Sequence, residues 1–239
     1  MRKILNKKVF TLTVLFFIIM TACDKKNVMK PAEAEVKLME MGYDITDEAF
    51  KEAVRSNNPD IVRLFLYAGK SPDMEVEENG LSLPIIFLAL HENNSEVVRE
   101  LILGGANLGK KVKGVAPLMK AAIEGDIDSI KLMVENGADV DVRSPDRVTP
   151  LMMAIQSENQ GSAWYLLSRG ADVNAVDKRG VSVLMKAVQQ DNVEIVRELL
   201  KRGADASYSK KGFGAMDIAR YNENDIIINM LIDEGVVNN

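Results

Sequence analysis

Apolar positions in this chain recur at helix spacing in short bursts, and a glycine closes each burst. Ile195, Val196, Leu199 and Leu200 fall at i, i+1, i+4 and i+5, one face of a helix, and Gly203 stands just beyond them. The glycines at 69, 105, 137, 170, 203 and 235 repeat this arrangement with spacings of 36, 32, 33, 33 and 32 residues. Sixteen residues before each glycine lies an alanine: Ala53, Ala89, Ala121, Ala154, Ala187 and Ala219. Six alanines in one register mark a place where a neighbouring helix passes too closely for a larger side chain. Each period therefore predicts two helices and a finger. Thr149 is a good N-cap, and Pro150 suits the first helical position, where no N–H partner is needed. The second helix ends at the glycine, in the left-handed conformation that other residues avoid. A short extended segment and a tight turn lead to the next unit.

Two marks recur around this frame: Ala116-Pro117-Leu118, Thr149-Pro150-Leu151 and Ser182-Val183-Leu184 before the alanines, and Gly137-Ala-Asp-Val-Asp, Gly170-Ala-Asp-Val-Asn and Gly203-Ala-Asp-Ala from the glycines onward. The period of about 33 residues and these marks resemble the ankyrin repeat, over about residues 46 to 239. The resemblance implies an all-α solenoid of stacked helix-turn-helix units joined by β-hairpin-like fingers. The units fall at about 46–76, 77–112, 113–144, 145–177, 178–210 and 211–239. Residues 32–45 form an added cap helix, and the first and last units are degenerate, as ends facing water must be. One departure stands out. The family often places His two residues after the Pro; here Met119, Met152 and Met185 stand there, so apolar packing replaces a polar network.

The N-terminus follows another pattern. Arg2, Lys3, Lys7 and Lys8 precede the uncharged apolar run Val9–Met20, and Met20-Thr21-Ala22-Cys23 follows it. This order is that of a signal peptide. As a helix the run reaches only about 18 Å at ~1.5 Å per residue, short of a hydrocarbon core ~30 Å thick. Met20–Cys23 resembles the lipobox of bacterial lipoproteins. That resemblance implies a signal peptide over 1–22, lipidation of Cys23, a tether over 23–31 and a lipid-anchored, periplasm-facing place in the bacterial envelope. Asp24 resembles an inner-membrane retention signal.

Composition narrows the chemistry. Cys23 is the single cysteine and His91 the single histidine, which removes disulfides, Cys-based zinc sites and most nucleophile–His arrangements. Hydrophobic residues make up 47% of the 239, enough for a core, while aromatics are only 5%, which favours small helices in close contact. Without the four basic residues of the leader, 26 basic residues face 35 acidic ones, a formal charge of −9 and a poor match for nucleic acid. Gly104–Lys111 (GGANLGKK) nearly spells a phosphate loop. It lacks the following Ser or Thr, a helix precedes it, and Gly105 is one of the helix-ending glycines, so no nucleotide is expected. Asp73-x-Glu75-x-Glu77-Glu78 alternates like a calcium loop, but Glu78 stands where glycine belongs; it reads as a solvated acidic finger. No catalytic, cofactor-binding or metal-binding set is expected.

The sharper candidate is a basic ladder along the finger tips: Lys110, Lys111 and Lys113; Arg143 and Arg147; Lys178 and Arg179; Lys210 and Lys211. Asp141, Asp146 and Asp177 dilute it. Second helices carry acids instead, such as Glu96, Glu100, Asp126 and Glu194. Lys120, Met153 and Lys186, at equivalent first-helix positions, would line the adjoining groove. Trp164 is either half-buried packing or an interface anchor. In an ankyrin-like stack the finger tips and concave groove form the usual binding surface, so the resemblance implies a monomeric interaction module with no chemistry of its own, and the basic ladder points to an acidic protein partner. Its subtypes are a toxin-blocking immunity protein and an envelope scaffold. The rivals are a metal-dependent enzyme built on the acidic finger and a spacer lipoprotein.

Overall fold

A computed structural model describes residues 29–236; the leader and Cys23 lie outside them. The chain opens with α1 (Pro31–Glu40). Six helix pairs follow: α2 (Asp47–Arg55) with α3 (Pro59–Tyr67), α4 (Ile85–His91) with α5 (Ser95–Leu103), α6 (Pro117–Glu124) with α7 (Ile127–Glu135), α8 (Pro150–Gln156) with α9 (Gln160–Ser168), α10 (Val183–Gln189) with α11 (Val193–Lys201), and α12 (Ala215–Tyr221) with α13 (Asp225–Asp233). First helices stack on first helices and second on second, and α1 packs on α3. The cap helix is shorter than the stretch 32–45: it begins at Pro31 and gives way after Glu40 to a link of six residues.

All six register alanines are buried, four of them between first helices on both sides. Met119, Met152 and Met185 are buried as well, which places them in the core that the His-to-Met departure implies. Caps sit where the sequence puts them. Thr149 Oγ1 accepts from Met152 N at 3.3 Å and Ser182 Oγ from Met185 N at 3.1 Å. The six helix-ending glycines all have φ between 82° and 94°.

The fingers differ from one another. The first is a hairpin of β1 (Glu75–Glu78) and β2 (Leu81–Pro84), paired Glu75↔Pro84 to Glu78↔Leu81. The last is a minimal hairpin of β3 (Ser209–Lys210) and β4 (Phe213–Gly214). Between them the extended pairing shrinks to single bridges, Val112↔Val115 and Val176↔Ser182.

Asparagines join the units. Asn94 Nδ2 donates to Val54 O at 3.1 Å, Asn159 Nδ2 to Ala122 O at 3.0 Å, and Asn222 Nδ2 to Val188 O at 2.9 Å. In each case the side chain satisfies a carbonyl near the end of the preceding unit's first helix, one of the acceptors a helix C-terminus leaves open.

Candidate partner-binding surface

Each finger tip is built from a local turn. In the fourth finger Asp177 accepts from Arg179 N and Val181 N, both at 2.9 Å, and its own N–H bonds Val181 O at 3.0 Å. Ser144 does the same work one unit earlier: Val148 N donates to its Oγ at 3.1 Å and its N–H bonds Val148 O at 3.0 Å. The short side chain that closes the turn leaves the following residues pointing away from the stack. That is why Lys178, Arg179 and Arg147 are exposed.

The structure divides the predicted ladder in two. One group is engaged inside the molecule. Lys110 pairs with Glu75 of the first finger, and Lys120 with Glu124 on its own helix. Lys111 Nζ donates to Arg143 O at 2.9 Å, Arg143 pairs with Asp172 at 3.4 Å, and Lys210 Nζ donates to Arg179 O. These contacts tie finger to finger. Lys186 does not line the groove: it is only 5% exposed, with Nζ 3.4 Å from Gln156 Oε1 and 3.9 Å from Asp177 Oδ2. Burial holds its ammonium below the usual lysine range. Asp177 opposes that shift and Arg179 adds to it. Met153 is half-buried and packs on the core.

The second group is free. Lys113, Arg147, Lys178 and Lys211 are exposed and make no side-chain hydrogen bond or ion pair among the described residues. Arg179 joins them in part, since it is exposed and only 3.7 Å from the carboxylate of Asp177. Each of the last four fingers thus presents one unpaired cation.

Two clefts open where fingers meet first helices. One, of about 540 Å³, lies at the C-terminal end between Arg179, Met185, Lys210, Phe213, Ile218 and Tyr221. Phe213 is 54% exposed and Tyr221 87%, so the last unit keeps apolar surface that a water-facing cap would not. The other, of about 580 Å³, lies in the N-terminal half between Leu81, Leu83, Phe87, His91, Lys113 and Lys120. Sequence reasoning missed the aromatic lining of both. No repeat signal marks Phe213 and Tyr221, because they stand in the least regular unit, where the pattern has least to compare.

The acidic finger is engaged as well. Asp73 Oδ1 accepts from Asn107 N at 2.7 Å, and Glu75 meets Lys110 and Ser82. Glu78 meets Arg55 and, at 3.1 Å, Lys51. The Lys51 hydrogen bond, helped by Arg55, holds the Glu78 carboxyl below its usual range. Among the described residues no three His, Cys, Asp or Glu side chains gather closely enough for a metal ion. Gly105 ends α5, and the lysines after it belong to a finger. Trp164 is 39% exposed on α9, on the second-helix side of the stack. None of the described helices is long and apolar enough to cross a membrane.

Comparison with known proteins agrees with this architecture. The family model described as "Ankyrin repeats (3 copies)" matches residues 50–144, 85–177 and 151–239. A protein of Treponema pallidum (strain Nichols), named as ankyrin repeat-containing, is 34% identical over 116 residues, 48% of this chain. The aligned stretch spans only 38% of that relative's length.

Proposed function

The chain belongs to the ankyrin-repeat family, whose stacks are in general protein-interaction modules, and we propose that it is a bacterial envelope lipoprotein that binds an acidic protein partner along its finger tips. The carrying observation is the single unpaired cation on each of four successive fingers, on a chain whose formal net charge is −5. Cations that already hold the stack together are unavailable; Lys113, Arg147, Lys178 and Lys211 are not so held. Such a row steers an acidic surface towards one edge of the molecule. The two clefts then supply apolar contact, with Phe213 and Tyr221 as anchors of the type that dominates interfaces.

The envelope location rests on the leader and on Cys23, whose thiol would carry the lipid. Several acyl chains suffice as an anchor, since each buried CH₂ contributes ~0.8 kcal/mol and one chain alone is marginal. A bacterial relative is in keeping with that reading. In this role the protein acts by occupancy and carries out no reaction. Blocking a toxin and scaffolding an envelope complex are both occupancy roles of this kind.

A pull-down from envelope extract tests the proposal, with residues 24–239 as bait beside a Lys178→Glu/Arg179→Glu bait. We expect one partner held by the first and lost by the second. A partner held equally by both removes the fingers from the interface. Labelling cells with an alkyne fatty acid tests the anchor: the label should be lost in Cys23→Ser, and a label that persists there places the lipid elsewhere.

A further inference from the structure

The free cations repeat with the stack, and the stack fixes their spacing. Neighbouring fingers touch directly. Lys178 N donates to Asp146 O at 2.8 Å, Gly114 lies against the Pro145 ring, and Gly180 lies against the stem of Lys210. The fingers therefore advance at the pitch of the helices behind them, about 8–10 Å per unit. Lys113 and Lys211 each precede a finger glycine, Gly114 and Gly212, while Lys178 stands two before Gly180 and Arg147 replaces the glycine itself. These offsets lie along each finger, across the direction in which successive fingers advance, and so leave the pitch unchanged.

A partner that meets all four cations needs acids at the same pitch on one side. A β-strand returns to one face every two residues, about 6.7 Å, which falls out of step at once. An α-helix offers i, i+4 at about 6 Å or i, i+7 at about 10.5 Å. The first is too short, and the second overruns the ladder by its last rung. A polyproline II segment returns to the same side every third residue, about 9.3 Å, and stays in step over three intervals.

Resting on the reading of the fingers as the docking edge, we propose that the ladder Lys113–Arg147–Lys178–Lys211 reads an extended, polyproline-type acidic segment with carboxylates at i, i+3, i+6 and i+9. Such a segment arrives with its conformation largely formed, so little ordering entropy opposes docking.

The test is fluorescence anisotropy of the full chain in detergent at low salt. The probe is a labelled twelve-residue peptide, Glu-Pro-Ala repeated four times. The comparators are a peptide of the same composition with its four Glu in one block, a helical peptide with Glu every seventh residue, and a dT20 oligonucleotide. The periodic peptide should bind at least about tenfold tighter than each comparator. Each of Lys113→Gln, Arg147→Gln, Lys178→Gln and Lys211→Gln should weaken it by a similar factor, up to about fivefold, as for exposed pairs. Equal binding of the block peptide, or tighter binding of the helix or the oligonucleotide, overturns the register. If no peptide binds while the Lys178→Glu/Arg179→Glu bait still loses its partner, the register is wrong and the docking edge stands. If the bait loses nothing, both fall.

Discussion

The first finger and the fourth show how differently one repeat can use its charge. Residues 73–84 hold four carboxylates, yet Asp73, Glu75 and Glu78 are each engaged by a neighbouring backbone N–H or cation. Residues 177–182 hold one carboxylate and two cations. The carboxylate is buried in its own turn, and the cations are left outside. Density of charge along a sequence is therefore a poor guide to charge on offer. What matters is whether the neighbouring unit presents a partner within reach.

The comparison can be broken most sharply at the turn residue. Asp177→Ala leaves two backbone N–H groups without the carboxylate oxygen they donate to and leaves the buried Lys186 ammonium without its counter-charge, which should cost about 3 kcal/mol. Ser144→Ala, at the equivalent place, should cost about 1 kcal/mol. Urea denaturation of the two variants reads the difference, and equal costs would mean that the buried pair contributes nothing. Next in size, the halves should behave alike inside: Ala89→Leu and Ala154→Leu each overpack the contact between first helices, at about 1–3 kcal/mol. A variant as stable as the parent would show that its alanine does not face a close neighbour.

Titration should then separate the fingers again, with opposite signs. The Glu78 carboxyl is depressed in the folded chain, so its contribution is present above the usual carboxylate range and is lost as pH falls through the folded value. The Lys186 ammonium is depressed too, so its burial opposes folding at neutral pH, and that penalty is relieved as pH rises towards the ordinary lysine value. Thermal melts of Glu78→Gln against the parent should converge in acid, and those of Lys186→Met should lose ground to the parent in mild alkali. A gap that does not change with pH would detach either group from stability. The smallest effect belongs to the free cations: Lys178→Glu/Arg179→Glu should change stability by no more than about 0.5 kcal/mol. A larger loss would make the ladder structural.

The architecture was legible because it repeats. Six alanines in register and six glycines that end helices were enough to place the helix pairs. The candidate surface was legible only in part. Lys120 and Lys186 occupy equivalent positions, yet one is half-exposed beside Glu124 and the other buried beside Asp177. Asp177, which faces Lys186, has Lys111 as its equivalent in the unit of Lys120, so no carboxylate stands at that finger position there. Lys110 likewise looks free until Glu75, 35 residues earlier, is brought beside it. Period reveals position within a unit. It does not reveal which cations the next unit will neutralise, because that depends on residues off the repeat pattern.

The asparagine bridges and finger contacts all join immediate neighbours, and no described hydrogen bond clasps the first unit to the last. Under tension the molecule is a set of joints in series. Force applied at one end passes undiminished through every joint, so the weakest sets the load at which it yields, while extension adds from joint to joint. A partner gripped along several fingers would splint the joints it spans and leave the rest to give first.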